Sequence, residues 1–201
     1  MRAGSDSLPR FVLRVVAWLP LTFAVWYLAA PLLAWPVALL AELITRSTFD
    51  WVKSVEQMGP LITFVTSLKP DQGANPAGVK AVLSVESNVL LFSFGLPMLA
   101  ALILAAQEPH RVWMLLIGYA VLLPFQTFSV VADFLKNAAF LAGPAVASQT
   151  NFDAWQREVI AFCYQFGTLI LPTVAPVIVW VLMHRRFLER LSGRDNANTV
   201  A

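Results

Sequence analysis

The chain is short of charge. Only 13% of its 201 residues are Asp, Glu, Lys or Arg, against roughly 25% in a soluble domain. With 58% hydrophobic residues and a mean hydropathy of +0.68, there is too little charge to clothe the surface for water. Cysteine is nearly absent: the lone Cys163 excludes an intramolecular disulfide. The two histidines, His110 and His184, each stand beside an arginine at an expected helix end, so a metal site built on His and Cys lacks ligands. The net charge of +2, with no Lys/Arg run interleaved with aromatics, excludes a phosphate-tracking groove and hence nucleic acid as a partner. Catalytic signatures are missing as well, with no G-x-S-x-G, H-E-x-x-H or phosphate-binding glycine loop. No cofactor and no metal are expected.

Long apolar runs are what the chain has instead. Val15–Ala41 carries no formal charge over about 27 residues, and about 20 suffice to cross a bilayer as a helix. Shorter runs follow, giving expected spans at about 15–41, 88–107, 112–136 and 159–184. The fold class read from this is an all-α polytopic membrane protein, a single membrane domain over 1–201 with four transmembrane helices. Arg2, Arg10 and Arg14 before the first run resemble the start of a signal peptide. The run is too long for a signal h-region of about 7–15 residues, so an uncleaved first span is the better reading. Each span holds a Leu-Pro pair (Leu19-Pro20, Leu96-Pro97, Leu123-Pro124, Leu171-Pro172), and Pro31 and Pro36 add to the first, so kinks or an early helix end are expected.

Between the first two spans, residues 45–87 read as an insertion outside the membrane. Ser47 and Asp50 have capping-box spacing, with Trp51, Val52 and Val55 on one face and Lys53 and Glu56 on the other, which predicts a short amphipathic helix at the membrane surface. Gly59-Pro60 would end it. Leu61–Leu68 and the alternating Val79–Glu86 predict two strands of a β-hairpin, joined by the loop KPDQGANPAG. Two strands alone are marginal, so the hairpin should lean on the amphipathic helix, on Asn151–Glu158 or on another protein. Its edge would offer Phe64, Thr66, Val82 and Ser84 to a partner strand. Residues 137–152 read as a loop or a short re-entrant helix.

Lys and Arg counts orient the chain. Arg2, Arg10, Arg14, Arg111, Arg185, Arg186, Arg190 and Arg194 gather on the side of the termini. Both termini are therefore expected in the cytoplasm of a bacterium with the insertion facing outward from the inner membrane. Polar side chains at membrane depth are costly, which singles out Gln126, Asp133, Lys136, Arg157 and Cys163. Gln126 and Asp133 share a helical face, and Lys136 lies three residues beyond Asp133, at ion-pair spacing. The group is either an outer-leaflet site for a peptide or a lipid head group, or a set of structural pairs. Cys163 has no histidine on its side to act as a base, so it reads as a small apolar filler. His110 and His184 read as helix-end residues, and most tryptophans as bilayer anchors or packing.

Several short segments resemble a family of bacterial membrane proteins. These are Leu19-Pro20 with Trp26-Tyr27 and Pro31, Val55-Glu56-Gln57-x-Gly59, Gly95-Leu96-Pro97, Pro124-x-Gln126, and Asp133-x-Leu135-Lys136. Over about Arg10 to Arg186 the chain looks like the exosortase H-associated membrane proteins. The resemblance implies an accessory role beside an exosortase, an enzyme similar to cysteine transpeptidases that uses Cys, Arg and His on a C-terminal sorting signal. This chain does not place that trio on one side of the membrane. The reading is a non-enzymatic accessory protein of a protein-sorting system, with membrane lipids, an exosortase and its substrate tail as expected partners. The alternative is a membrane enzyme or a small-molecule or lipid carrier using the outer-leaflet polar cluster around Asp133.

Overall fold

The computed structural model describes residues 8–70 and 82–191. Most of the expected KPDQGANPAG loop, the start of the expected second strand (79–81) and the polar C-terminal tail lie outside that range. The elements in order are α1 (Leu8–Thr48), β1 (Val52–Met58), β2 (Leu61–Thr66), β3 (Ser84–Asn88), α2 (Leu90–Ser93), α3 (Gly95–Ala106), α4 (Arg111–Lys136), a π-helical turn (Asn137–Leu141), α5 (Pro144–Gln149), α6 (Ala154–Gln165), a second π turn (Phe166–Ile170), α7 (Leu171–Met183) and α8 (Arg185–Leu191). The protein is mostly helical, with a small three-stranded antiparallel sheet ordered β1-β2-β3.

Three helical stretches are long and apolar enough to cross a membrane: Leu8–Thr48, Arg111–Leu141 and Ala154–Met183. Side chains such as Leu13, Leu28, Leu32, Trp35 and Leu169 stand exposed along them, which suits helices bathed in hydrocarbon. The expected second span is a different object. Its first residue, Asn88, closes β3, Val89 makes the turn, and the apolar helical stretch that remains, Leu90–Ala106, is interrupted at Phe94 and is about 25 Å long, short of a core of about 30 Å. None of its residues from Phe92 to Ala106 is exposed, the mark of a helix enclosed by protein. Four spans are therefore not established.

The largest correction concerns residues 45–57. There is no amphipathic helix: α1 runs on through Pro20, Pro31 and Pro36 to Thr48, and β1 follows. Ser47 does not cap a helix start. Its hydroxyl, and that of Thr48, donate backward to the Ile44 carbonyl at 2.9 and 2.8 Å and close the end of α1. The helical spacing of Val52 and Val55 has another cause. The β1–β2 register shifts between Val52 and Ser54, and the extra residue of this bulge puts two residues three apart on the same face of a strand. Gly59-Pro60, expected to end the helix, forms the two-residue turn of the β1–β2 hairpin. Gly59 has φ of +62°, which glycine adopts at little cost, and Met58 pairs with Leu61 across the turn. The antiparallel pairing of a strand from Leu61 with a later one agrees with expectation, but the later strand is β3, Ser84–Asn88, where Val79–Glu86 was expected, and β2 is the central strand and not an edge.

The described residues form two compact units, 8–28 with 94–122 and 173–191, and 29–70 and 82–93 with 123–172. Each boundary lies within three residues of a proline (Pro31, Pro97, Pro124, Pro172); at Pro31, Pro124 and Pro172 the missing N–H interrupts a helical ladder, while Pro97 stands in the first turn of α3.

In the first unit, Leu99 and Ile103 of α3, Ala175 and Val179 of α7 and Phe11 of α1 form the core. Leu99 seats where Gly118 has no side chain; a Cβ there would fall 2.6 Å from Leu99 Cδ2. Phe11 stacks on Trp180 at 5.4 Å, and Phe187 lies 5.3 Å from Phe11. His184 is not an exposed helix-end residue: it is 1% exposed, stacked on Trp180 at 5.3 Å, with Nδ1 3.1 Å from the Trp180 carbonyl.

The second unit packs the inner face of the sheet on α4. Phe64, at the centre of β2, stacks on Phe134 at 4.1 Å, and Trp51 lies 5.5 Å from Phe134. Phe152 contacts Phe49 and Trp51 at 6.0 and 6.4 Å, so the connection from α1 into β1 leans on the segment before α6. The start of α6 is a full capping box: Asp153 Oδ1 accepts from the Gln156 N–H at 2.7 Å, and the Asp153 N–H donates to Gln156 Oε1 at 3.0 Å.

Deeper in this unit, Pro172 shapes the helix before it. Having no N–H and a ring that crowds the preceding turn, it forces a wider turn, and the Leu171 N–H bonds to the Phe166 carbonyl five residues back. The Gly167 carbonyl then finds no donor in its own helix, since Leu171 is taken and Pro172 has none. Ser129 Oγ supplies it from α4 at 2.8 Å, sharing its single hydrogen with the Phe125 carbonyl at 2.9 Å. The approach needs glycine, because a Cβ at 167 would stand 3.0 Å from Ser129 Oγ and 3.1 Å from Ser129 Cα. Ser129→Ala should therefore cost about 1–3 kcal/mol, the range for orphaning a buried acceptor. In a Pro172→Ala background, where an N–H can serve the freed carbonyl, the cost should largely vanish. Thermal unfolding of the four members of this cycle in detergent checks both values, and equal costs in the two backgrounds would refute the link.

Candidate functional site

The last turn of α4 carries the polar group that the sequence singled out. Asp133 is 8% exposed, and both its carboxylate oxygens are engaged. Oδ2 accepts from Ser87 Oγ at 2.8 Å; Oδ1 accepts from Lys136 Nζ at 3.0 Å and from Asn137 Nδ2 at 3.3 Å. Asn137 Nδ2 also donates to the Asp133 backbone carbonyl at 2.8 Å, and Lys136 Nζ lies 4.0 Å over the Tyr164 ring, within range of a cation–π attraction. Four elements meet at this node: β3 through Ser87, α4 through Asp133 and Lys136, the first π turn through Asn137, and α6 through Tyr164.

Backbone geometry explains the meeting. Val85 and Ser87 alternate onto the buried face of β3, where Ser87 is 1% exposed. Lys136 and Asn137 follow Asp133 by three and four residues and so share its helical face. Both oxygens of Asp133 take part in the node, which ties β3 to the end of α4.

The other expected members do not join it. Among the described residues, no hydrogen bond or ion pair links Gln126, Arg157 or Cys163 to Asp133. Gln126 lies two turns deeper on α4, 4% exposed, with its Oε1 lacking a partner among the described residues. Arg157, in the first turn of α6, donates from Nη2 to the Ala147 carbonyl of α5 at 3.4 Å. Cys163 is a half-buried free thiol. Sequence reading missed Ser87, Asn137 and Tyr164. Asn137 was within reach through its four-residue spacing from Asp133, whereas Ser87 and Tyr164 come from distant segments and left no local signal.

The expected partner-binding side chains divide into two pairs. Phe64 and Thr66 are each 0% exposed, so burial takes both away from any partner. Phe64 lies against Phe134, and Thr66 Oγ1 donates to the Leu83 carbonyl at 2.8 Å, inside the sheet. Val82 and Ser84 are exposed and lie at or beside the outer strand β3. Its bonds to β2 fall on alternate residues: the Leu83 carbonyl accepts from Thr66 N at 3.1 Å, and Val89 N donates to the Pro60 carbonyl at 3.0 Å. By antiparallel alternation, the N–H and C=O of Ser84 and Glu86 point to the edge of β3 that no described strand covers.

The family model described as exosortase H-associated membrane protein matches residues 5–187, most of the chain. No curated protein and no solved structure matches it. Together with the three long apolar helices, the family match places the chain in a membrane.

Removing the centre of the node should expose its structural role. Asp133→Ala leaves Lys136 and Ser87 without their acceptor and should destabilise by about 2–4 kcal/mol, whereas Ser87→Ala should cost about 1 kcal/mol. Unfolding midpoints in detergent give both numbers, and an Asp133→Ala protein as stable as the parent would show that the node holds nothing.

Proposed function

Because the chain belongs to the exosortase H-associated membrane proteins, matched from residue 5 to residue 187, we propose that it is a non-enzymatic accessory subunit of an exosortase system in the bacterial inner membrane. In this reading Leu90–Ala106 makes a short fourth crossing, both termini lie in the cytoplasm, and the sheet stands on the outer side. There it meets the enzyme or the C-terminal tail of its substrate.

The observation that carries the contact surface is the edge of β3 that no described strand covers. Ser84 and Glu86 direct backbone donors and acceptors outward, and both side chains are exposed. An extended segment of a partner satisfies those groups by adding a strand. β2 is excluded from this role because it is paired on both sides. The unit that holds Cys163 contains no histidine in its sequence, which supports an accessory role over a thiol catalyst needing a base.

A photo-reactive residue at Ser84 in native membranes should capture an exosortase or its substrate tail, while the same group at Lys53 on β1 should not. Glu86→Pro sharpens the test: it removes an outward N–H without breaking a bond to β2, as proline is tolerated on an edge. It should abolish capture at Ser84 while leaving protein level and unfolding temperature nearly unchanged. Capture that survives Glu86→Pro, or equal capture from Lys53, would sink strand addition as the mode of contact.

A further inference from the structure

The end of the sheet that carries the β1–β2 turn lies deep along α1. The helix stops at Thr48, and β1 folds back beside it until Gln57 Nε2 donates to the Pro31 carbonyl at 2.7 Å. Pro31 is 17 residues before Thr48, about 25 Å down the helix. That contact fixes how deep the turn reaches. A crossing of about 20 residues, placed anywhere within the uncharged run Val15–Ala41, contains residues 22–34 and hence Pro31. Leu32, beside Pro31 on the side of α1 away from the sheet, is 76% exposed, as suits a helix in hydrocarbon.

The turn is suited to that depth. The carbonyls of its two central residues are both met by protein: that of Gly59 by Gln57 Nε2 at 2.8 Å, and that of Pro60 by the Val89 N–H at 3.0 Å. Pro60 brings no N–H of its own. Asn88, paired with Leu61 in the end row, accepts at Oδ1 from the Leu90 N–H at 3.0 Å. Water would serve such groups at a surface turn, whereas in hydrocarbon they must be met inside the protein. Met58 presents an apolar side chain that is 74% exposed, and the apolar stretch Leu90–Ala106 begins just beyond, with Leu91 60% exposed. The charged row of the sheet, Glu56–Thr63–Glu86, stands two residues back along the strands, about 7 Å away, with both glutamates exposed.

We infer that the Met58–Leu61 turn and Asn88 are immersed among the acyl chains of a lipid bilayer, and that the glutamate row marks where the sheet leaves it. The inference rests on α1 crossing the membrane and does not depend on the exosortase reading.

Spin labelling of the full-length protein tests it, in vesicles of dioleoylphosphatidylcholine and dioleoylphosphatidylglycerol, with Cys163→Ser as background and one new cysteine at a time. A nitroxide at Met58→Cys should collide readily with oxygen, which concentrates in hydrocarbon, and lose almost all collision with a water-soluble nickel chelate. Its ratio of the two should match that of a label at Leu32→Cys on α1. A label at Lys53→Cys, exposed near the far end of β1, should show the reverse preference. A Met58 label as open to nickel as the Lys53 label overturns the immersion. So does a Met58 label that collides with neither probe, because that marks a covering protein surface instead of lipid. A Lys53 label shielded from nickel as fully as Met58 overturns the boundary at the glutamate row.

Discussion

The stacking of Phe64 on Phe134, at 4.1 Å, is the contact on which the second unit depends. A three-stranded sheet has two faces and too few strands to bury either by itself. Here the inner face, with Val52, Ile62, Phe64 and Val85, lies in one core with Val130 and Phe134 of α4 and Ala34, Val37, Ala38 and Ala41 of α1. Small residues on α1 let the strands come close, and the rings of Trp51, Phe49 and Phe152 close the side toward α6. Ser87 and Asp133 then place one directional bond, at 2.8 Å, within an otherwise apolar contact. Apolar burial provides the driving force, and the hydrogen bond sets the register of strand on helix.

Proline acts on this protein through the carbonyls it strips of donors. In water a freed carbonyl finds a solvent partner, but in hydrocarbon it must be met by protein. The widened turn before Pro172, the freed Gly167 carbonyl and the Ser129 hydroxyl at 2.8 Å are one such settlement. The Gln57 amide, which donates to the Pro31 carbonyl of α1 at 2.7 Å, brings a side chain of β1 to the proline-rich stretch of that helix.

Several sequence expectations failed for a single physical reason: spacing along the chain is ambiguous when a strand is irregular. Val52 and Val55 are three apart, which reads as a helical face, and a bulge makes it a strand face. Phe64 and Thr66 alternate as residues of a half-exposed hairpin would, yet a third strand and a helix cover them. Asp133 with Lys136 was legible because both lie within one helical turn, while Ser87 and Tyr164 come to the same node from 46 residues before Asp133 and from the far side of the π turn.

By itself the sequence determined the environment and the elements that suit it. Long uncharged runs can only be covered by lipid or protein, and the ion-pair spacing of Asp133 and Lys136 acts within a single helical turn. Tertiary structure alone decided which apolar stretch is enclosed, that β2 is central and β3 is an edge, and that Asp133 gathers Ser87, Lys136 and Asn137 around it. Those outcomes depend on which distant segments share a core. Burial and charge pairing are properties of that shared neighbourhood, and local spacing carries no record of it.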